Sequence, residues 1–496
     1  MKRIVSPFRV NYDAKHESFP YQTLALNAIK DFPYAAIFHE QGLGKTKIAI
    51  DLLLYWLQKK DIDTVLIVTK KQLVANWIGE FTEHTFIHPK IWNSNKKDNF
   101  YVLNSPAKVI ITNFETLSTD KARVTLFLKS RNVAIIIDES TKIKNPESNL
   151  TKAFFEMRDL FKIRVIMTGT PVANRPYDIW SQVFFLDGGK SLGVSFEDFK
   201  ANTDLDNNLS LDDDARKNFE NAVSSIWSKI SDFSIRETKK TSGIALPQKN
   251  YESIYVDFEA FQKEMYDKVV NDLSLEISRD GETFYDDDRA ILKRLLRLLQ
   301  VTSSPTLVDD RCNKPSAKDK ALDLLLQTIV GRNEKCIVWS SFIENVNRFS
   351  KKYSDFNPRK IHGAMSIEER NKSVDLFKNN VECKVLFATP QAAKEGLTLT
   401  VANNVIFYDR GFNLDDYLQA QDRIHRISQK KECFIYNLIV KNSVDEWIDV
   451  LLEAKQRAAF LAQGDINLEQ YAKIADYSYG DIIRKILQDD KEMKNG

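Results

Sequence analysis

A strand that runs straight into a glycine loop and out into a helix constrains this chain more than any other feature. Ala35-Ala36-Ile37-Phe38 is an apolar run of strand length, Gly42-Leu43-Gly44-Lys45-Thr46 follows, and Lys47 to Leu54 carries helical periodicity. Glycines let backbone N–H groups converge at a helix N-terminus, where the helix dipole favours negative charge, so the stretch reads as a phosphate cradle. In that reading Gln41, Gly42, Leu43 and Gly44 form the loop, Lys45 reaches the β- and γ-phosphates, and Thr46 helps hold Mg²⁺. The strict pattern places glycine five residues before Gly44, and here that residue is His39. A helix start that merely reads Gly-Lys-Thr is the alternative, and the rest of the chain has to separate the two.

The rest is an alternation of strands and helices. Val65–Val68, Val109–Ile111, Val133–Ile137 and Arg164–Met167 are further apolar runs, each ending in polar residues. This pattern predicts an α/β fold with a parallel sheet and a site at its carboxyl ends. Val133–Ile137 delivers Asp138 and Glu139, a pair suited to holding the Mg²⁺ shell (Asp138) and polarising an attacking water (Glu139). Thr168-Gly169-Thr170-Pro171 ends the next run and is placed to pass the state of the γ-phosphate to a neighbouring lobe. Lys70 and Lys71, then Thr112 and Asn113, stand at strand ends where they could grip a phosphate–sugar backbone or simply serve as loop and cap residues. Gln22, upstream of the loop, could read an adenine edge, and Trp77 reads as a core anchor. A second series of strands near Cys336, Ile361, Val385, Val405 and Phe434 predicts a second parallel lobe without its own phosphate loop. Ser340 and Thr389, at two of its strand ends, are candidate nucleic-acid contacts. In Gln419-Ala420-Gln421-Asp422-Arg423-Ile424-His425-Arg426, Arg423 and Arg426 share a face if the stretch is helical, and both could point at the γ-phosphate.

Composition sets bounds. A chain of 496 residues holds roughly two to four domains, and Lys plus Arg (71) nearly balance Asp plus Glu (69), so any nucleic-acid surface must be a local patch. Four scattered cysteines without a CxxC pair indicate neither a zinc site nor disulfides and point to a reducing compartment. His84 and His88 lack a third ligand, so zinc is not expected there. No apolar leader or membrane-length run is apparent, which predicts an intracellular location: cytoplasmic in a bacterium or virus-infected cell, nuclear in a eukaryote.

Taken together, Glu40–Thr46, Asp138–Asn145 and Thr168–Asn174 resemble motifs I, II and III of the Swi/Snf family, superfamily-two helicase-like DNA-dependent ATPases. Asn76–Phe81 resembles motif Ia, Lys335–Phe342 motif IV, Gly396–Thr400 motif V and Gln419–Gln429 motif VI, all in family order. The sequence departs at His39, where the family usually has Asp, at Thr141 in place of the motif II His, and at Pro390–Glu395, where motif V is usually glycine-rich. The resemblance implies two RecA-like lobes with helical insertions between them and a helical C-terminal tail. The expected boundaries are 1–240 with an insertion near 188–235, a linker and helical protrusion over 241–315, a second lobe over 316–448, and terminal helices over 449–496. It also implies ATP and Mg²⁺ in a cleft between lobes, with Gln22 on the base, Gln419 and Thr168–Thr170 in coupling, and DNA as partner. A motor moving on duplex or branched DNA is the first expectation. A strand-separating helicase on DNA or RNA and a nucleotide-gated binding subunit are the rivals.

Overall fold

The computed structural model describes residues 10–93, 95–208, 213–278, 288–309, 312, 314–392 and 397–474. The chain divides into two units. The first comprises Met1–Thr203, Val223–Ile244 and Ala462–Gly464, and the second Asp204–Ala222, Ala245–Leu461 and Asp465–Gly496.

The first unit is built on seven parallel strands: β1 (Tyr34–Ile37), β2 (Thr64–Thr69), β3 (Lys90–Ile91), β4 (Val109–Asn113), β5 (Val133–Asp138), β6 (Ile163–Met167) and β7 (Ser234–Ile235), in the order β3-β4-β2-β5-β6-β1-β7. A parallel sheet covered on both faces needs nearly continuous apolar runs, and β2 and β5 are buried along their whole length. The helix Lys45–Lys59 packs Ile48, Ala49, Leu52, Leu53 and Trp56 into the core formed with β1, β2 and β6. Register matters more to function than layer count. Ile37 of β1 and Asp138 of β5 both pair with Met167 of β6, so three strand tips end level on one edge of the sheet.

The second unit carries six parallel strands: β8 (Lys249–Val256), β9 (Cys336–Trp339), β10 (Arg359–Ile361), β11 (Val385–Ala388), β12 (Asn404–Phe407) and β13 (Cys433–Val440), ordered β10-β11-β9-β12-β13-β8. The three strands absent from the sequence reading, β3, β7 and β8, all lie at sheet edges. Two of them are two residues long, and β8 leaves Tyr251 and Tyr255 exposed, so none shows the buried run that marks a central strand. β8 falls within the stretch expected to be linker, yet it pairs along its full length with β13. Of the expected C-terminal helices, Val444–Ala462 and Leu468–Ile474 are described, and 475–496 lies outside the described residues, as does Ala393–Gly396 of motif V. Among the described residues no helix is long and apolar enough to cross a membrane, and no cluster of three metal-ligating side chains occurs.

Candidate active site

The site is assembled at the carboxyl edge of the first sheet. β1 ends in the loop 38–44, and Gly44 caps the helix Lys45–Lys59 at φ 70°, a left-handed conformation glycine adopts without strain. A Cβ there would lie 2.4 Å from Gln22 Nε2. Gln22 is buried: Nε2 donates to Leu43 O at 3.2 Å, and Oε1 accepts from Phe19 N–H at 3.0 Å. These bonds hold Gln22, expected on the base of a nucleotide, against the back of the glycine loop. Lys45 Nζ donates to His39 O (3.0 Å) and Glu40 O (3.4 Å), which arches the loop over the ammonium. Thr46 lies in the first turn of that helix. The loop is strapped by β7 and the residues after it: Arg236 Nη1 donates to Phe38 O, Glu40 N–H to Glu237 O, and Lys239 N–H to Glu40 Oε2, each at 2.8 Å.

Asp138 ends β5 and is buried. Thr69 Oγ1 (3.0 Å) and Trp77 Nε1 (2.8 Å) both donate to its Oδ2. Burial pushes its carboxyl up to about 6, the neighbouring Glu139 charge adds to this, and the two hydrogen bonds and Lys45 oppose it. A carboxylate that is costly to ionise in place is one that a divalent cation compensates. Glu139 adopts φ 57°, ψ 51°, a left-handed conformation that costs a non-glycine residue about 1–3 kcal/mol. Its Oε2 is buried without a hydrogen bond among the described residues, with Lys70 Nζ at 3.8 Å. A glycine cradle, a carboxylate raised by burial and an orphaned carboxylate oxygen fit a nucleotide and its Mg²⁺. Gly169, next on the same edge, has no room for a side chain: a Cβ would lie 2.4 Å from Gln41 Cγ and 3.1 Å from Lys45 Nζ. Thr168 and Thr170 flank it, joined by Thr170 N–H to Thr168 Oγ1 at 3.2 Å. His39 lines the back of the loop, 2% exposed, and burial followed by Lys45 holds its imidazole down to about 3.

In the second unit the helix Leu414–Gln421 ends before the arginines, so Arg423 and Arg426 sit on a turn and not on one helix face. Each is nonetheless fixed. Arg423 Nη2 donates to Gln419 Oε1 and Nη1 to Leu397 O, both at 3.4 Å; Arg426 Nη1 donates to Thr398 Oγ1 (2.8 Å) and Nε to Asp422 O (3.1 Å). Lys249 of β8 pairs with Asp422 at 3.1 Å and steadies that turn.

The residues read as nucleic-acid contacts separate into three groups. Thr112 is 0% exposed and spends its hydroxyl on Trp92 O, and Ser340 is 1% exposed with its hydroxyl on Asp409 Oδ2. Both differ from the expected nucleic-acid contacts and are structural donors, because a strand-end hydroxyl turned inward is consumed by its own fold. Asn113 caps the helix Phe114–Thr119 through Thr116 N–H, and Thr389 is buried. Lys71 is exposed, and Lys70 faces Glu139. Trp77 and Thr69 were not read as site residues. A buried indole N–H must find an acceptor, which is the one signal in the sequence that could have led to Trp77.

An SNF2-related domain model matches residues 33–307, more than half of the chain, and a helicase conserved C-terminal domain model matches 317–428. The chain belongs to the SNF2-related family. An uncharacterised ATP-dependent helicase of Mycoplasma pneumoniae is 29% identical over 429 residues, 84% of this chain and 39% of the relative. The putative ATP-dependent helicase/translocase YwqA of Bacillus subtilis is 28% identical over 464 residues, 88% of this chain and 48% of the relative. This SNF2-related chain thus spans less than half the length of those curated relatives. The SWI2/SNF2 ATPase core of Sulfolobus solfataricus in complex with dsDNA aligns at 25% identity and a TM-score of 0.43, covering 95% of this chain and 99% of that one.

Proposed function

We propose that this SNF2-related chain hydrolyses ATP to drive its movement along duplex or branched DNA. The observation that carries the reading is the level ending of β1, β5 and β6, which gathers the Lys45 loop, Asp138, Glu139 and Gly169 on one sheet edge. The backbone N–H groups of Gly42–Thr46 and the Lys45 ammonium bind the phosphates of ATP. Thr46 and Asp138 would hold Mg²⁺, which, when bound, neutralises charge on the β- and γ-phosphate oxygens. Glu139, held apart from other donors, accepts hydrogen from the attacking water and orients it in line with the γ-phosphate. Arg423 and Arg426 of the second unit are assigned to transition-state charge, a contribution of about 10³–10⁵ in rate where such arginines engage. Thr168–Thr170, touching Lys45 on one side, and Gln419, bonded to Arg423, report phosphate state to the DNA-gripping surface, to which Lys70 and Lys71 belong.

The test is the steady-state ATPase rate without nucleic acid and with single-stranded DNA, duplex DNA, forked DNA and RNA, with Glu139→Gln as the blank. Stimulation by duplex or forked DNA, lost in the blank, is the expected result. Stimulation by single strands or RNA alone would favour a strand-separating helicase. Binding of ATP without stimulated turnover would favour a nucleotide-gated binding subunit.

A further inference from the structure

The backbone of Glu139 is held in a left-handed conformation, and the loop that follows it buries Ser140 and Ile143. Side chains of the helix Trp180–Asp187 and of Asp178 just before it, beyond motif III, hold that loop. Gln182, 0% exposed, uses its whole amide: Oε1 accepts from Ser140 Oγ at 2.7 Å, while Nε2 donates to Pro171 O at 2.9 Å and Asp178 O at 2.8 Å. Ser181 Oγ adds a bond to Ile143 O at 2.6 Å, and Lys144 pairs with Asp178 at 2.9 Å. Pro171 follows Gly169-Thr170 directly, and Gly169 lies so near Lys45 that a Cβ on it would stand 3.1 Å from Nζ. One path of neighbouring groups therefore runs from the half-buried Lys45 through Gly169-Thr170-Pro171 to the buried Gln182, and from Gln182 through Ser140 to Glu139.

We infer that Gln182 is a positioning residue for hydrolysis, which fixes the Glu139 loop to the end of the Thr168–Pro171 segment so that the carboxylate and the phosphate loop keep one spacing. The inference rests on the reading of Glu139 as the residue that orients water. The amide suits the task because two carbonyls and one hydroxyl need two donors and one acceptor in one plane, the inventory of a glutamine side chain. Leucine at this position keeps the volume and removes all three bonds. Ser140→Ala removes only the link toward Glu139.

The experiment measures kcat and KM for ATP with duplex DNA, together with affinity for a fluorescent ATP analogue, in Q182L, S140A, the double variant and E139Q. Misplacing a catalytic group by about 1 Å can cost about hundredfold, and a smaller shift correspondingly less. The expected result is a kcat loss of that order in Q182L and a smaller one in S140A. KM and analogue affinity stay within about twofold, and the double variant is no worse than Q182L. Wild-type kcat in S140A and Q182L, additive losses in the double variant, or a loss of analogue affinity equal to the loss of kcat would overturn the inference. If Q182L does not fold, S140A decides alone, since it leaves the Pro171 and Asp178 bonds intact, and an unchanged kcat overturns the inference. E139Q separates the two readings: substantial hydrolysis in E139Q refutes the site assignment itself, whereas an inert E139Q beside wild-type kcat in S140A and Q182L refutes only the role of Gln182.

Discussion

Trp77 shows how one side chain can serve core and chemistry together. Its ring fills the space between the helix Val74–His84 and the sheet, and its N–H reaches Asp138 Oδ2. Trp77→Phe keeps most of the ring and deletes the donor. In the proposed site Asp138 holds Mg²⁺, and an outer partner of such a carboxylate is worth about 10–100-fold in metal affinity, so the Mg²⁺ concentration giving half-maximal ATPase is expected to rise by about that factor, read from a Mg²⁺ titration at saturating ATP. An unshifted midpoint would place Asp138 outside the Mg²⁺ shell. His39 makes a different prediction. The unfolded chain takes up a proton at this imidazole near 6.5, while the folded chain does so only near 3. Between those values the unfolded state binds more protons, so stability falls as the pH falls, by up to about 1.4 kcal/mol per pH unit below about 6.5. Thermal unfolding followed across this range should show a weaker acid dependence in His39→Asn than in the wild type.

At the scale of elements, the tip of β6 is packed so closely on the phosphate loop that its glycine has no substitute. In Gly169→Ala the new methyl must displace Gln41 or Lys45, and Gln41 presents backbone N at 3.2 Å as well as its side chain. The expected outcome is a rise in KM for ATP of about tenfold or more, since moving Lys45 removes binding energy, with the fold retained by circular dichroism. An unaltered KM would mean that the loop yields freely. This is also the scale at which sequence reading stops. Lys45, Asp138, Glu139 and Gly169 were legible because each follows a buried apolar strand, and strand tips in a parallel sheet share an edge. Gln182, Trp77 and Lys249 were not, because what defines them is a partner 42, 61 and 173 residues away. Thr112 and Ser340 turn inward, and Arg423 and Arg426 lie beyond the helix that would have set them on one face, for a related reason. Whether a hydroxyl points out or in, and whether a helix runs five residues further to carry both arginines, depends on neighbours that local pattern does not contain. The edge strands β3, β7 and β8 escaped because two of them are only two residues long and β8 is exposed or half-buried along its length, so none has a buried run to detect.

For the whole molecule, the near balance of 71 basic and 69 acidic side chains means that the proposed DNA grip rests on a local set of cations. Affinity for duplex DNA should then fall linearly with the logarithm of salt, with a slope near −0.9 for each phosphate contacted. Fluorescence anisotropy across a salt series measures it, and a flat line would contradict a grip through phosphates. The central claim is that ATP turnover moves the protein along an intact duplex. A triplex-displacement assay tests it most directly: a third strand is annealed to a duplex, and its release is followed with ATP, without ATP and with Glu139→Gln. The account predicts ATP-dependent release of the third strand, none with Glu139→Gln, and no separation of the underlying duplex. Robust turnover with the third strand left in place, or separation of the duplex strands themselves, would contradict it.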